Sequence, residues 1–253
     1  MSTVSLAALV LLAASWLAAD NAAAQTSDDV KLAQAAKVLH DFTTDEKEGI
    51  PIELLQRAHG VVVIPNLIRG GFFVGGRRGR GVLIVRTPSG GWSNPAFVTL
   101  TGGSIGWQFG AESADVVLVL ANERSVRNIK EGKFTFGGDA AAVAGPAGRR
   151  TTAAVTAKSE VYIYAHGRGL FAGAAVEGAR LDVDQDGSAA FYAADKRAAP
   201  LGEQSAATPA SARTFLEAVD GASAVVAAAR PPSGPERAEE EGVKIYPLGE
   251  APP

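Results

Sequence analysis

The chain has 253 residues, 47% of them hydrophobic and 20% charged, which is enough apolar mass for a sizeable core and excludes disorder throughout. A formal net charge of -3 excludes a nucleic-acid binder that works by bulk charge, so any basic site has to be local. The absence of cysteine excludes a disulfide, a thiolate metal site, a cysteine nucleophile and a lipid-modified N-terminal cysteine.

Val4 to Ala19 is an apolar run broken only by Ser5 and Ser15, and Ala22-Ala23-Ala24 follows as a small-residue cleavage site before Gln25. Residues 1–24 read as a signal peptide, with a periplasmic or secreted destination. A retained membrane helix competes, but the run is shorter than the roughly 20 apolar residues needed to span. Ser27-Asp28-Asp29 then supplies an N-cap and an acidic first turn, and Leu32, Ala36, Leu39 and Phe42 recur at helical spacing. Pro51, Leu54, Leu55, Ala58 and the stop at Gly60 predict a second helix.

From Val61 the pattern turns to short apolar runs separated in several places by glycines: 61–64, 72–74, 82–85, 97–100 and 116–120. Asn122 to Lys130 reads as a short helix stopped by Gly132. Strand-like runs return at 161–164, 169–171 and Phe191-Tyr192. These elements predict an α+β fold, with N-terminal helices packed on a glycine-rich, mainly antiparallel β body of sandwich or barrel-like form. The folded domain is expected over 25–194. Residues 195–253 are expected as a mostly flexible Ala/Pro/Glu-rich tail, with one further helix around Phe215, Leu216 and Val219 as an option.

Charge is segregated. No acidic residue lies between Glu53 and Glu112, while Arg57, Arg69, Arg77, Arg78, Arg80 and Arg86 do. Arg77-Arg78-Gly79-Arg80 falls between two predicted strands and is expected at a hairpin tip, with Phe72 and Phe73 beside it as an apolar anchor. Guanidinium forks suit phosphate oxygens, and each basic residue near an anionic membrane contributes about 1 kcal/mol. A charged tip that merely blunts an edge strand is the competing account.

Two further motifs carry chemistry only in a specific context. Gly102-Gly103-Ser104-Ile105-Gly106 matches a nucleophile elbow, which needs a strand before it and a helix after it, and the plainer reading is a glycine-rich turn. Asp182, Asp184 and Asp186 before Gly187 copy half a calcium loop, but Ala193 stands where the bidentate carboxylate belongs, which favours a hairpin turn. His40, His59 and His166 lack metal-ligand spacing, and no phosphate-binding glycine loop occurs in the required setting. No cofactor or metal is expected.

In order along the chain come Ala58 to Pro65, Gly70 to Gly76, Gly79-Arg80-Gly81-Val82, Trp92-Ser93-Asn94-Pro95, Gly103 to Gly110 with Asp115, Ala144 to Arg149, Gly169 to Gly173 and Phe191-Tyr192. This series resembles the SYLF domain family over about Leu32 to Ala193. The resemblance implies a non-enzymatic lipid-binding module. Eukaryotic members bind phosphoinositides, yeast actin-patch members also bind actin, and bacterial members are commonly exported. Actin is not carried over to an exported chain. The family's lipid contact, an amphipathic N-terminal segment plus basic residues, implies Lys31 and Lys37 as headgroup contacts alongside Arg69, Arg77, Arg78, Arg80 and Arg86. The expected partner is therefore an anionic membrane lipid and not nucleic acid, with an envelope protein as the alternative partner.

Overall fold

The computed structural model describes residues 27–136, 142–145, 160–167, 178–193, 200–204 and 208–229. Helix α1 spans 27–44 and turns Leu32, Ala35, Val38, Leu39 and Phe42 inward, all buried. Full burial of Leu32, Leu39 and Phe42 contributes about 1.5–3 kcal/mol each. Helix α2 (Ile52–Arg57) starts after Pro51, whose fixed φ suits a helix entry.

Strand β1 then runs unbroken over Gly60–Val85 and pairs antiparallel with β2 (Ala96–Leu120), from Gly60 opposite Leu120 to Leu83 opposite Ala96. The glycines read as turns lie inside these strands. What they allow is curvature. A methyl group on Gly81 would collide with the carbonyl oxygen of Val63, and one on Gly79 would lie 2.6 Å from Ile64 Cγ2. The second half of β1 therefore folds back against its own first half, and the Arg86 N–H donates to the His59 carbonyl at 2.9 Å. The ladder shifts register between Ile64 and Leu67. There Asn66 takes φ 53°, and its N–H, released from the ladder, donates to Asp115 Oδ1 at 2.8 Å.

The remaining elements are α3 (Glu123–Lys130), β3 (Phe134–Thr135), β4 (Ala142–Ala144), β5 (Val161–Gly167), β6 (Ala179–Val183), α4 (Gln185–Tyr192) and α5 (Ala210–Ala229). Among the described residues the sheet has six strands in the order β3-β6-β2-β5-β4, with β1 along β2, and all its pairings are antiparallel except β4 with β5. This is the α+β architecture expected. Both faces of the sheet are covered. Val61, Val63, Val82, Ile84, Val117 and Val119 join α1, α2, α4 and α5 in one core. Val62, Ile64, Leu83, Val116 and Leu118 join α3 and Phe134 in the other. Burial on two sides explains why the strands read as continuous apolar runs without alternation.

Two expectations are corrected here. Phe191-Tyr192 is the end of helix α4, not a strand, because Asp184 caps that helix by accepting from the Gly187 N–H at 2.9 Å. The folded body does not close at Ala194. Ala212, Phe215, Leu216 and Val219 of α5 are buried in the helical core, and Thr208 Oγ1 donates to Asn94 Oδ1 at 3.0 Å. The run 169–171 and the signal-peptide residues lie outside the described residues, as does 230–253.

The curl makes a direct prediction. Gly81→Ala lowers stability by about 1–3 kcal/mol in urea unfolding, because a backbone carbonyl must shift to admit the methyl group. Gly103→Ala, with open space around the added carbon, is neutral or stabilising by up to about 1 kcal/mol.

Candidate functional site: a basic cleft beside the first helix

Arg77-Arg78-Gly79-Arg80 is not a hairpin tip. These residues sit within β1, opposite Gly102, Thr101, Leu100 and Thr99 of β2. The curl of β1 carries them against the bulge at 65–68 and the first turns of α1. The result is a cleft of about 520 Å³ lined by Lys31, Pro65, Asn66, Ile68, Gly76, Arg77, Arg78, Gly79 and Arg80. Among the described residues, four cations line it and no carboxylate does.

The four cations are not equivalent. Arg80 is a structural tie: Nη1 donates to Asp28 Oδ1 of α1 at 2.6 Å, Nη2 donates to Asp184 Oδ2 at the cap of α4 at 3.3 Å, and the guanidinium stands 4.8 Å over the Phe97 ring. Burial pushes the Asp28 carboxyl above its usual range, although the Arg80 charge pulls the other way. Arg77 is buried and donates from Nη2 to the Gly103 carbonyl at 3.2 Å. Arg78 is exposed. Lys31 is half-buried and donates to Gln34 Oε1 at 3.1 Å. Burial, and then the nearby Arg80 charge, hold its ammonium below the ordinary lysine range. An anion in the cleft relieves that crowding of like charge.

The other expected contacts lie apart from this cleft. Lys37 is paired with Asp41 at 2.6 Å on the exposed side of α1. Arg69 is half-buried in β1, opposite Glu112 in register. Arg86 closes the end of α2: it donates to the carbonyls of Ala58 and Leu55, both at 3.3 Å, and stacks 3.8 Å over the Trp92 ring. The side chains of Phe72 and Phe73 lie outside the described residues.

Arg86 does line a second, larger cleft of about 900 Å³, together with Arg57, His59, Glu123, Arg127 and Lys130. The basic character of this cleft escaped sequence reasoning, although Glu123, Arg127 and Lys130 recur at one-face spacing on α3. Ile68 in the first cleft was missed as well. It is 57% exposed, and Val30 beside Lys31 is 50% exposed.

The two other motifs find different settings. Gly102 to Gly106 is extended strand throughout, with Ser104 opposite Gly75, so neither the turn nor the strand-to-helix elbow is present. Asp182 pairs with Arg180 at 2.7 Å in β6, Asp184 caps α4 and holds Arg80, and Asp186 sits in the first turn of that helix. The expected hairpin is thus a strand, a cap and a helix, with the Asp182 and Asp184 carboxylates already engaged.

Residues 101–222 match the family model described as Ysc84: Las17-binding protein actin regulator. The "SH3 domain-containing YSC84-like protein 1" of Xenopus laevis is 37% identical over 170 residues, which is 64% of this chain and 50% of that protein. "Protein YSC84" of Saccharomyces cerevisiae is 36% identical over 169 residues, 63% of this chain and 36% of its own length. The Homo sapiens "SH3 domain-containing YSC84-like protein 1" is 32% identical over 220 residues, 84% of this chain and 60% of that protein. The chain therefore spans 36% to 60% of the lengths of these relatives. The family description names binding and regulation, not catalysis. No solved structure matches the chain.

Arg86→Ala lowers stability by about 2–3 kcal/mol, through the lost ring stack and the carbonyls left without their charged donor. Arg86→Lys recovers only part, since an ammonium cannot hold the ring and the carbonyls together. Urea unfolding of the two variants measures both effects.

Proposed function

Because this chain belongs to the Ysc84 (SYLF) family, we propose that it is a non-enzymatic binder of anionic lipid headgroups at a membrane surface, in the exported compartment that Val4 to Ala19 predicts. The observation that carries the proposal is the cleft in which Lys31, Arg77, Arg78 and Arg80 converge, with no carboxylate among the described lining residues. Phosphate oxygens of a headgroup are acceptors for Arg78 and for the Lys31 ammonium, while Arg77 and Arg80, fixed by their protein partners, supply positive potential from a rigid wall. Ile68 at the rim and Val30 on α1 provide apolar contact with the acyl boundary. Among the described residues no helix is long and apolar enough to cross a membrane.

A protein partner is the second reading, favoured by the Las17-binding description of the family. The two readings differ in their response to vesicles alone.

Co-sedimentation separates them. The protein is expected to pellet with vesicles of phosphatidylcholine and phosphatidylserine at low salt, to release as salt passes the physiological range, and to ignore phosphatidylcholine alone. Lys31→Gln/Arg78→Gln weakens binding by about thirtyfold, since each basic residue contributes about 1 kcal/mol, and leaves stability unchanged. Absence of pelleting with anionic vesicles at low salt sinks the lipid reading and leaves the protein partner.

A further inference from the structure

A second cluster of donors lies where the turn after α1 meets the end of β5. The ligand atoms of Asp45, Glu48 and His166 all fall within 4.8 Å of one another, although His166 is more than a hundred residues from the other two. Each is held there for a physical reason. The His166 imidazole stacks on the buried Phe42 ring, 3.8 Å between centroids and 15° from parallel. Asp45 Oδ1 accepts from the Lys47 and Glu48 N–H groups at 2.8 and 3.0 Å, which orients the carboxylate and keeps it ionised. The turn that brings Glu48 round closes on Gly49, where a methyl group would lie 2.6 Å from the Phe42 carbonyl oxygen.

We propose that Asp45, Glu48 and His166 form a binding site for a divalent transition-metal ion of the zinc type, with water completing its shell. One imidazole and two carboxylates are a donor set that such ions accept, and imidazole disfavours magnesium or calcium. A tetrahedral shell with bonds of about 2.1 Å places its donors about 3.4 Å apart, so rotation of the exposed Glu48 closes the cluster onto an ion. Asp115 stands directly opposite His166 in the sheet register and adds negative charge on the same side. A bound ion ties the connection between α1 and α2 to the sheet. The site is separate from the basic cleft and does not depend on the lipid reading.

Calorimetric titration of the EDTA-stripped full chain with ZnCl2, with thermal unfolding in the same solutions, tests the site. One equivalent of zinc is expected to bind and to raise the melting temperature. Glu48→Gln, Asp45→Asn and His166→Phe each weaken binding by about tenfold or more. The Asn retains an acceptor for the two turn N–H groups and the Phe retains the ring stack, so the metal-free variants melt with the parent. Glu48 is exposed, so its variant remains informative should the other two fold poorly. The double variant His40→Gln/His59→Gln binds zinc as the parent does. Absence of zinc uptake, uptake unchanged in Glu48→Gln, or uptake lost in the His40/His59 variant overturns the proposal.

Discussion

The close approach of β1 to itself, with Gly79 and Gly81 lying against Ile64 and the Val63 carbonyl, is the contact on which the rest of the molecule depends. A two-stranded ribbon of 26 and 25 residues laid out straight would present two wide faces with nothing to bury them. Curling brings the end of β1 beside its beginning, and the helices then cover one face while α3 and the short strands cover the other. The same bend carries the arginines of the second half of β1 onto the bulge at Asn66 and the start of α1. Fold and cleft thus have one physical origin.

Arg80 shows how closely the two are joined. It faces the cleft, yet its two nitrogens are committed to Asp28 and Asp184, so it fastens α1 and α4 to the sheet. The partly buried setting of these pairs makes removal of one partner costly, because the others are left desolvated without a counter-charge. Arg77 and Arg86 are engaged in similar ways with backbone carbonyls. Loss of binding on removing these residues would therefore report on folding as much as on ligand contact, whereas Arg78 and Lys31 are the side chains whose charge faces the cleft with the fewest structural duties.

Helices α1, α2 and α3 were legible in the sequence because their signals are local: the acidic first turn of α1, Pro51 before α2, Asn122 at the start of α3 and Gly132 at φ 66° after it. Most of the strand residues were legible too, and the order of glycine and aromatic motifs pointed to the family that the match over 101–222 supports. What was not legible depends on distance. Glycine in a strand and glycine in a turn look alike until the contact that requires it is known, so β1 and β2 read as several short strands and the arginines as a tip. Phe191-Tyr192 has strand-like composition, and only the Asp184 cap and the Ser188 hydroxyl, which accepts from the Phe97 N–H at 2.9 Å, fix it as helix. The second basic cleft sets the charged face of α3 against Arg57, His59 and Arg86, and the Asp45–Glu48 pair meets His166 only in the fold, and local spacing does not reveal either meeting.

The curled ribbon is proposed to assemble an anion site from Lys31 and the arginines of β1. The most direct measurement is a heteronuclear NMR titration of the folded chain with a soluble inositol phosphate, which presents headgroup chemistry without a bilayer. Shifts concentrated at Lys31, Asn66, Ile68 and residues 76–80, fading as salt is raised, are expected. Shifts confined to the cleft of Arg57, Arg127 and Lys130, or no saturable shifts at low salt, would contradict it.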